Sequence, residues 1–161
     1  MAARLPIRPE AAADPQAVRA AALTLLARRD WLAGELSAKL LAAGCDGEVT
    51  AGVIADLVRE RLLNDARYAE HYVASRAERG QGPLRIAADL ASRGVPRELI
   101  EAAVAAGPDW RALAGAVRRR KFGAQPPDSW AEKVRQARFL QYRGFSSDDT
   151  RAATGADLET D

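Results

Sequence analysis

The strongest constraint on this chain is a helix-ending pattern that recurs with a period of 50 residues. Leu40, Leu90 and Leu140 each stand four positions before a glycine: Gly44, Gly94 and Gly144. The residue after each glycine is Cys45, Val95 or Phe145, followed by Asp46, Pro96 or Ser146 and then an acid two positions on, Glu48, Glu98 or Asp148. Leu-x-x-x-Gly is the last turn of a helix closed by a left-handed glycine. Asp or Ser beyond it caps a following helix, Pro suits its start, and an early acid complements its dipole. One helix–turn–helix junction is thus written three times. Units of this kind bury their apolar sides against one another in an array.

The remaining helices follow from periodicity and punctuation. Helices are predicted over 15–29, 33–43 and 48–61 in the first unit, with Gly52 weakening the last. In the second they run from Asn64 or Asp65 to Arg79, from Pro83 to Gly94 and over 97–105. In the third, Asp109 caps a helix to Phe122, Asp128 or Ser129 opens one to Arg143, and Ser146 or Ser147 caps a short final one. No stretch alternates with the period of a strand. The predicted fold is all-α: three tandem three-helix repeats in a short, elongated array, spanning 15–63, 64–108 and 109–154. A disordered leader (1–14) and an acidic flexible tail (155–161) flank them.

Composition narrows the function classes. No apolar run reaches the roughly 18 residues that span a bilayer, and residues 1–13 lack a signal-peptide core, so a cytoplasmic location without membrane contact is expected. Cys45 is the single cysteine and His71 the single histidine, which argues against a disulfide or a zinc site. Gly80-Gln81-Gly82-Pro83 lacks the Lys-Ser/Thr of a phosphate loop and a preceding strand, and reads as a helix–helix turn. Tyr68 and Tyr72 read as packing residues, although arginines surround them. Asp148 and Asp149 do not face one another across a cleft. No catalytic constellation is present, and neither an enzyme nor a cofactor is expected.

Charge is more informative. Between Arg111 and Arg143 stand nine basic residues against Asp128 and Glu132, a net +7, whereas the chain as a whole carries +2. Four successive cations, Arg118, Arg119, Arg120 and Lys121, exceed what one helix C-terminus uses, and Arg135 and Arg138 extend the block onto the next helix. Such density marks a surface for a polyanion or an acidic protein.

The residues assembled in this way resemble the RecX family, regulators of the RecA recombinase. The first unit contributes the stretch from Glu35 to Leu40 and Gly44. The second contributes Leu63 to Ala69, Tyr72-Val73, Arg76, Gly82 to Ile86, Leu90 and Gly94-Val95, and the third Arg120 to Gly123 and Arg138 to Asp148. Cys45, Thr150 and Trp31-Leu32 depart from the family's pattern at packing and capping positions. The resemblance implies three three-helix units and binding within the groove of the RecA–single-stranded-DNA filament. It also implies inhibition of strand exchange, ATP hydrolysis and co-protease activity, and so a role in DNA repair, recombination and the SOS response. It further implies single- or double-stranded DNA as a partner, and a monomer is expected. The expected polyanion-facing residues are Arg118, Arg119, Arg120, Lys121, Arg135, Arg138 and Arg143. Arg67, Arg76, Arg79 and Arg85 come second, because the most family-like unit holds them. Charge reversal at Arg118, Arg119 and Arg120 is expected to weaken inhibition without loss of helix. The alternative is a helical DNA-binding module, or a helix–turn–helix regulator acting on DNA directly.

Overall fold

The computed structural model describes Leu5 and residues 7–158, and among them every regular element is a helix. A 3-10 turn, Pro9–Ala11, precedes α1 (Pro15–Leu26), α2 (Ala33–Ala42), α3 (Gly47–Arg59), α4 (Asp65–Glu78), α5 (Pro83–Ser92), α6 (Arg97–Ala105), α7 (Trp110–Phe122), α8 (Trp130–Arg143) and α9 (Ser147–Thr154). The chain divides into two compact units, residues 1–68 and 69–161.

The three junctions have the geometry their sequence predicts. Gly44, Gly94 and Gly144 have φ of 98°, 85° and 97°. Behind them the amides of Cys45, Val95 and Phe145 donate to the carbonyls of Leu40, Leu90 and Leu140 at 3.1, 3.2 and 3.1 Å. This is the six-to-one bond of a Schellman turn, which turns the post-glycine side chain back onto the helix it ends. Leu40, Leu90 and Leu140 are fully buried and Cys45, Val95 and Phe145 nearly so. Burial pushes the Cys45 thiol up, so the group behaves as a small hydrophobe.

In the first unit α1, α2 and α3 enclose Val18, Ala22, Leu36, Leu40, Val53 and Leu57. Leu32 precedes α2 and offers no capping oxygen. The free amides are met from elsewhere: Ala33 donates to Asp65 Oδ1 at 2.9 Å, and Leu32 to Glu35 Oε2 at 3.3 Å. Asp65 therefore serves α2, while Asn64 Oδ1 accepts from the Arg67 amide and caps α4. Several helices end earlier than predicted, α5 at Ser92 among them. α1 stops at Leu26, where the indole of Trp31 donates to the Leu25 carbonyl, and α3 stops at Arg59, two residues before a left-handed Arg61 (φ 59°). The expected leader is ordered in part, because Leu5 and Ile7 are apolar and pack against this core. Residues 1–4 and 6 lie outside the described residues.

In the second unit α5 packs on α6, while α7 and α8 both pack on α9. The second and third repeats are spliced here by backbone hydrogen bonds. The amides of Gly82 and Leu84 donate to the carbonyls of Arg143 and Gly144 at 2.8 and 2.9 Å. The start of α5 thus faces the end of α8, with opposite dipole ends opposed. The tail is ordered at first as well: Ala156 is buried and donates to Thr154 Oγ1, while 159–161 lie outside the described residues.

Two substitutions test this arrangement. A Cβ at Gly144 would overlap the backbone and Cβ of Arg85 as well as occupy a left-handed conformation. Gly144→Ala is therefore expected to cost about 2–4 kcal/mol in chemical denaturation, against about 1 kcal/mol for Gly94→Ala, where a Cβ meets open space. Thr50 and Thr150 occupy the repeat position filled by Ile100, and both hydroxyls are buried without a partner among the described residues. Thr150→Val is expected to stabilise the protein by about 1 kcal/mol in the same measurement.

Candidate nucleic-acid and partner interface

The basic residues expected at the interface divide according to what their guanidinium groups touch. Arg118 is 5% exposed and belongs to the core. Its Nη1 donates to the Gln125 carbonyl at 3.2 Å and to Gln136 Oε1 at 3.3 Å. Gln136 Nε2 then donates to Glu132 Oε1, which also accepts from Arg135 Nη2 at 2.8 Å. The repeat explains the position. Val18 and Leu36 in the first repeat, and Tyr68 and Ile86 in the second, stand 50 residues apart at the places of Arg118 and Gln136, and all are buried. The third repeat has replaced an apolar pair with a hydrogen-bonded polar one. Arg118 is thereby removed from the predicted surface.

Other candidates also serve the fold. Arg67, half-buried, donates to the carbonyls of Arg61 and Leu62 at 3.2 Å each and holds the left-handed turn after α3. Arg76 and Arg93 each lie 4.9 Å from the centre of the Tyr72 ring, whose hydroxyl donates to Asp89. Arg135 is held by both oxygens of Glu132, and the hydrogen bonds from Arg135 and then Gln136 keep the Glu132 carboxyl below its usual range. That contribution is present above the unfolded carboxylate range and fades as pH falls through the lower folded value.

What remains on the surface is a basic face interleaved with aromatic rings. Arg119, Arg120, Lys121 and Arg138 are exposed on α7 and α8, as are Arg79 and Arg85 at the ends of the neighbouring repeat's helices. Phe122 and Phe139 meet edge to face at 5.3 Å. Lys121 and Arg143 lie 5.7 and 5.5 Å from the Phe139 ring, and Arg135 lies 5.1 Å from Phe122. Arg143 also donates to the Arg79 carbonyl, and Arg85 lies 5.8 Å from the ring of Tyr142, which is 78% exposed. The backbone splice between α8 and α5 brings these pieces together from residues about 60 positions apart in the chain. Phe122 and Phe139 are half-buried and Tyr142 is exposed, and cations beside such rings suit phosphate and base contacts.

The rings were the part that charge counting missed. Phe139 and Tyr142 lie three residues apart between Arg138 and Arg143, a spacing that places them on one side of a helix. Their neighbour Arg85 carries no such sequence signal, since its place follows from the splice. Among the described residues there is no group of three acids, histidines or cysteines placed to hold a metal, and no helix long and apolar enough to cross a membrane.

Fold and surface together define a class: an all-α array of three-helix units presenting a basic, aromatic-studded face. The second and third repeats match the family descriptions "RecX, second three-helix domain" over residues 64–104 and "RecX, third three-helix domain" over 109–154. Regulatory protein RecX of Halorhodospira halophila is 49% identical over 153 residues, covering 94% of this chain and 95% of its own. That of Acidithiobacillus ferrooxidans is 41% identical over 150 residues, covering 92% and 93%. The crystal structure of RecX from Lactobacillus salivarius superposes with a TM-score of 0.76 at 22% identity, over 87% of this chain and 94% of that one. The chain belongs to the RecX family.

The buried position of Arg118 separates two variants that look alike in sequence. Arg118→Glu places an unpaired carboxylate two hydrogen bonds from Glu132 and is expected to destabilise the protein by about 3–5 kcal/mol. Arg119→Glu, on the exposed side, is expected to change stability by less than about 0.5 kcal/mol. Parallel thermal melts followed by circular dichroism check the contrast.

Proposed function

We propose that the protein is a non-enzymatic regulator that binds the RecA–single-stranded-DNA filament and inhibits its recombinase, ATPase and co-protease activities. The supporting observation is the basic–aromatic face on α7 and α8, carried by a chain whose full-length relatives bear the name regulatory protein RecX. Exposed Arg119, Arg120, Lys121 and Arg138 supply charge for filament phosphate or acidic protein surface, and Tyr142 with Arg85 supplies a ring and a cation beside it. The protein acts in the cytoplasm as a monomer, with single- or double-stranded DNA as a second ligand.

The helix–turn–helix alternative requires base-reading groups on the helices that follow the junctions. Those helices carry no Asn or Gln, and their arginines Arg59, Arg97 and Arg151 are paired with Asp56, Glu101 and Asp148. The surface chemistry favours the filament regulator.

The test is ATP hydrolysis by preformed RecA–single-stranded-DNA filaments, with this protein substoichiometric to RecA and DNA in excess. The rate is expected to fall. Joint replacement of Arg119, Arg120 and Lys121 by Glu is expected to raise the concentration for half-inhibition at least about tenfold, equivalent to about 1.4 kcal/mol, with helical content unchanged. Inhibition that survives this variant removes the proposed face. An unaffected rate, together with tight binding to naked DNA, leaves a DNA-binding module.

A further inference from the structure

Next to the basic face, on the α4 side of α7, the second unit carries a surface of opposite character. α4, the end of α6 and α7 border an open groove of about 570 Å³. Its floor is Val73, Ala77 and Ala103, and exposed Ala74, Ala106 and Pro108 form its walls. A shallower continuation runs past Leu113 and Ala116 towards Arg120. Alanines at helical spacing on α4 leave room for a second helix to approach closely.

Charge at the rim points to what fills the groove. Glu70 and Glu78 stand at its edge, exposed, and neither forms a hydrogen bond or ion pair among the described residues. Other acids of this type have identifiable roles. Glu35, Glu60, Glu101 and Glu132 each pair with an arginine, while Glu48 and Glu98 lie in first helical turns, where the dipole favours them. Glu78 is the reverse case, an acid on the last residue of α4, where the dipole disfavours it. Neither acid is accounted for by the fold. They lie eight residues apart on one helix, about 12 Å at 1.5 Å per residue, which matches two turns of a helix laid alongside. The groove contains no convergent set of hydrogen-bonding side chains of the kind that orients a small polar ligand.

We infer that this groove is a docking site for a basic amphipathic helix of a protein partner, whose apolar stripe seats on Ala74, Ala77 and Ala106 and whose lysines or arginines meet Glu70 and Glu78. The site needs no nucleic acid and is independent of the filament reading. It gives the second unit a surface for protein alongside one for polyanion.

The experiment uses the full chain with alanine methyl groups isotopically labelled and observed by NMR. The probe is a peptide about 18 residues long, five turns of helix, with leucine and alanine on one stripe and lysine elsewhere. A control peptide carries glutamate in place of lysine. Saturable shifts of the Ala74, Ala77 and Ala106 methyls are expected with the lysine peptide, with affinity at least tenfold above that of the control. Glu70→Lys with Glu78→Lys is expected to abolish that preference, and Ala74→Trp to block both peptides; all three positions are exposed. Equal affinity for the two peptides, shifts elsewhere, or no shift would overturn the inference. So would concentration-dependent shifts of the same methyls without peptide, since a second copy of the chain would then be the occupant.

Discussion

The hydrogen bonds from Gly82 and Leu84 to the carbonyls of Arg143 and Gly144 are the contact on which the candidate interface depends. They satisfy donors at the start of α5 and acceptors at the end of α8 in one step, with no side chain between them. Gly144 is indispensable there for two reasons, its positive φ and the backbone of Arg85 lying against it. Once the two helix ends are joined, Arg143 reaches the Arg79 carbonyl and Arg85 reaches Tyr142. A surface built from two repeats thus follows from a turn whose first purpose is to end a helix.

The same splice settles the reading of the Gly80-Gln81-Gly82-Pro83 turn. The amides that a phosphate would need are those of Gly82 and Leu84, and both are already bonded to protein carbonyls. The third repeat departs from its siblings in a second respect, since Arg118 and Gln136 fill places that are apolar elsewhere. A buried guanidinium bonded to neutral acceptors, with Glu132 one step further along, gains hydrogen bonds while it gives up solvation. The arrangement ties α7 to α8, and Lys121 of α7 approaches Phe139 of α8 across that pair.

Much of the fold was legible because its signals are local. Leu-x-x-x-Gly-apolar states a Schellman turn wherever it occurs, and Asp46, Ser129 and Ser146 cap the helices they precede. Asp65 was not legible, since nothing local says that it caps a helix beginning at Ala33. The interface was legible as a charge density but not residue by residue. Arg118 and Arg119 are indistinguishable in a run of cations until a helix is rotated against its neighbours. Comparing repeat positions would have exposed the difference, because Val18 and Tyr68 mark position 118 as interior. Arg67 and Arg143 bond to carbonyls that only the folded backbone brings within reach.

The proposed polyanion-facing residues lie on α7, α8 and the start of α5, all within the second compact unit. Hydrogen–deuterium exchange of the protein, alone and on RecA–single-stranded-DNA filaments, tests that assignment directly. Added protection on filaments is expected in α7 and α8, residues 110–143, and at the start of α5. Protection confined to residues 15–63, with α7 and α8 exchanging as in the free protein, would contradict it.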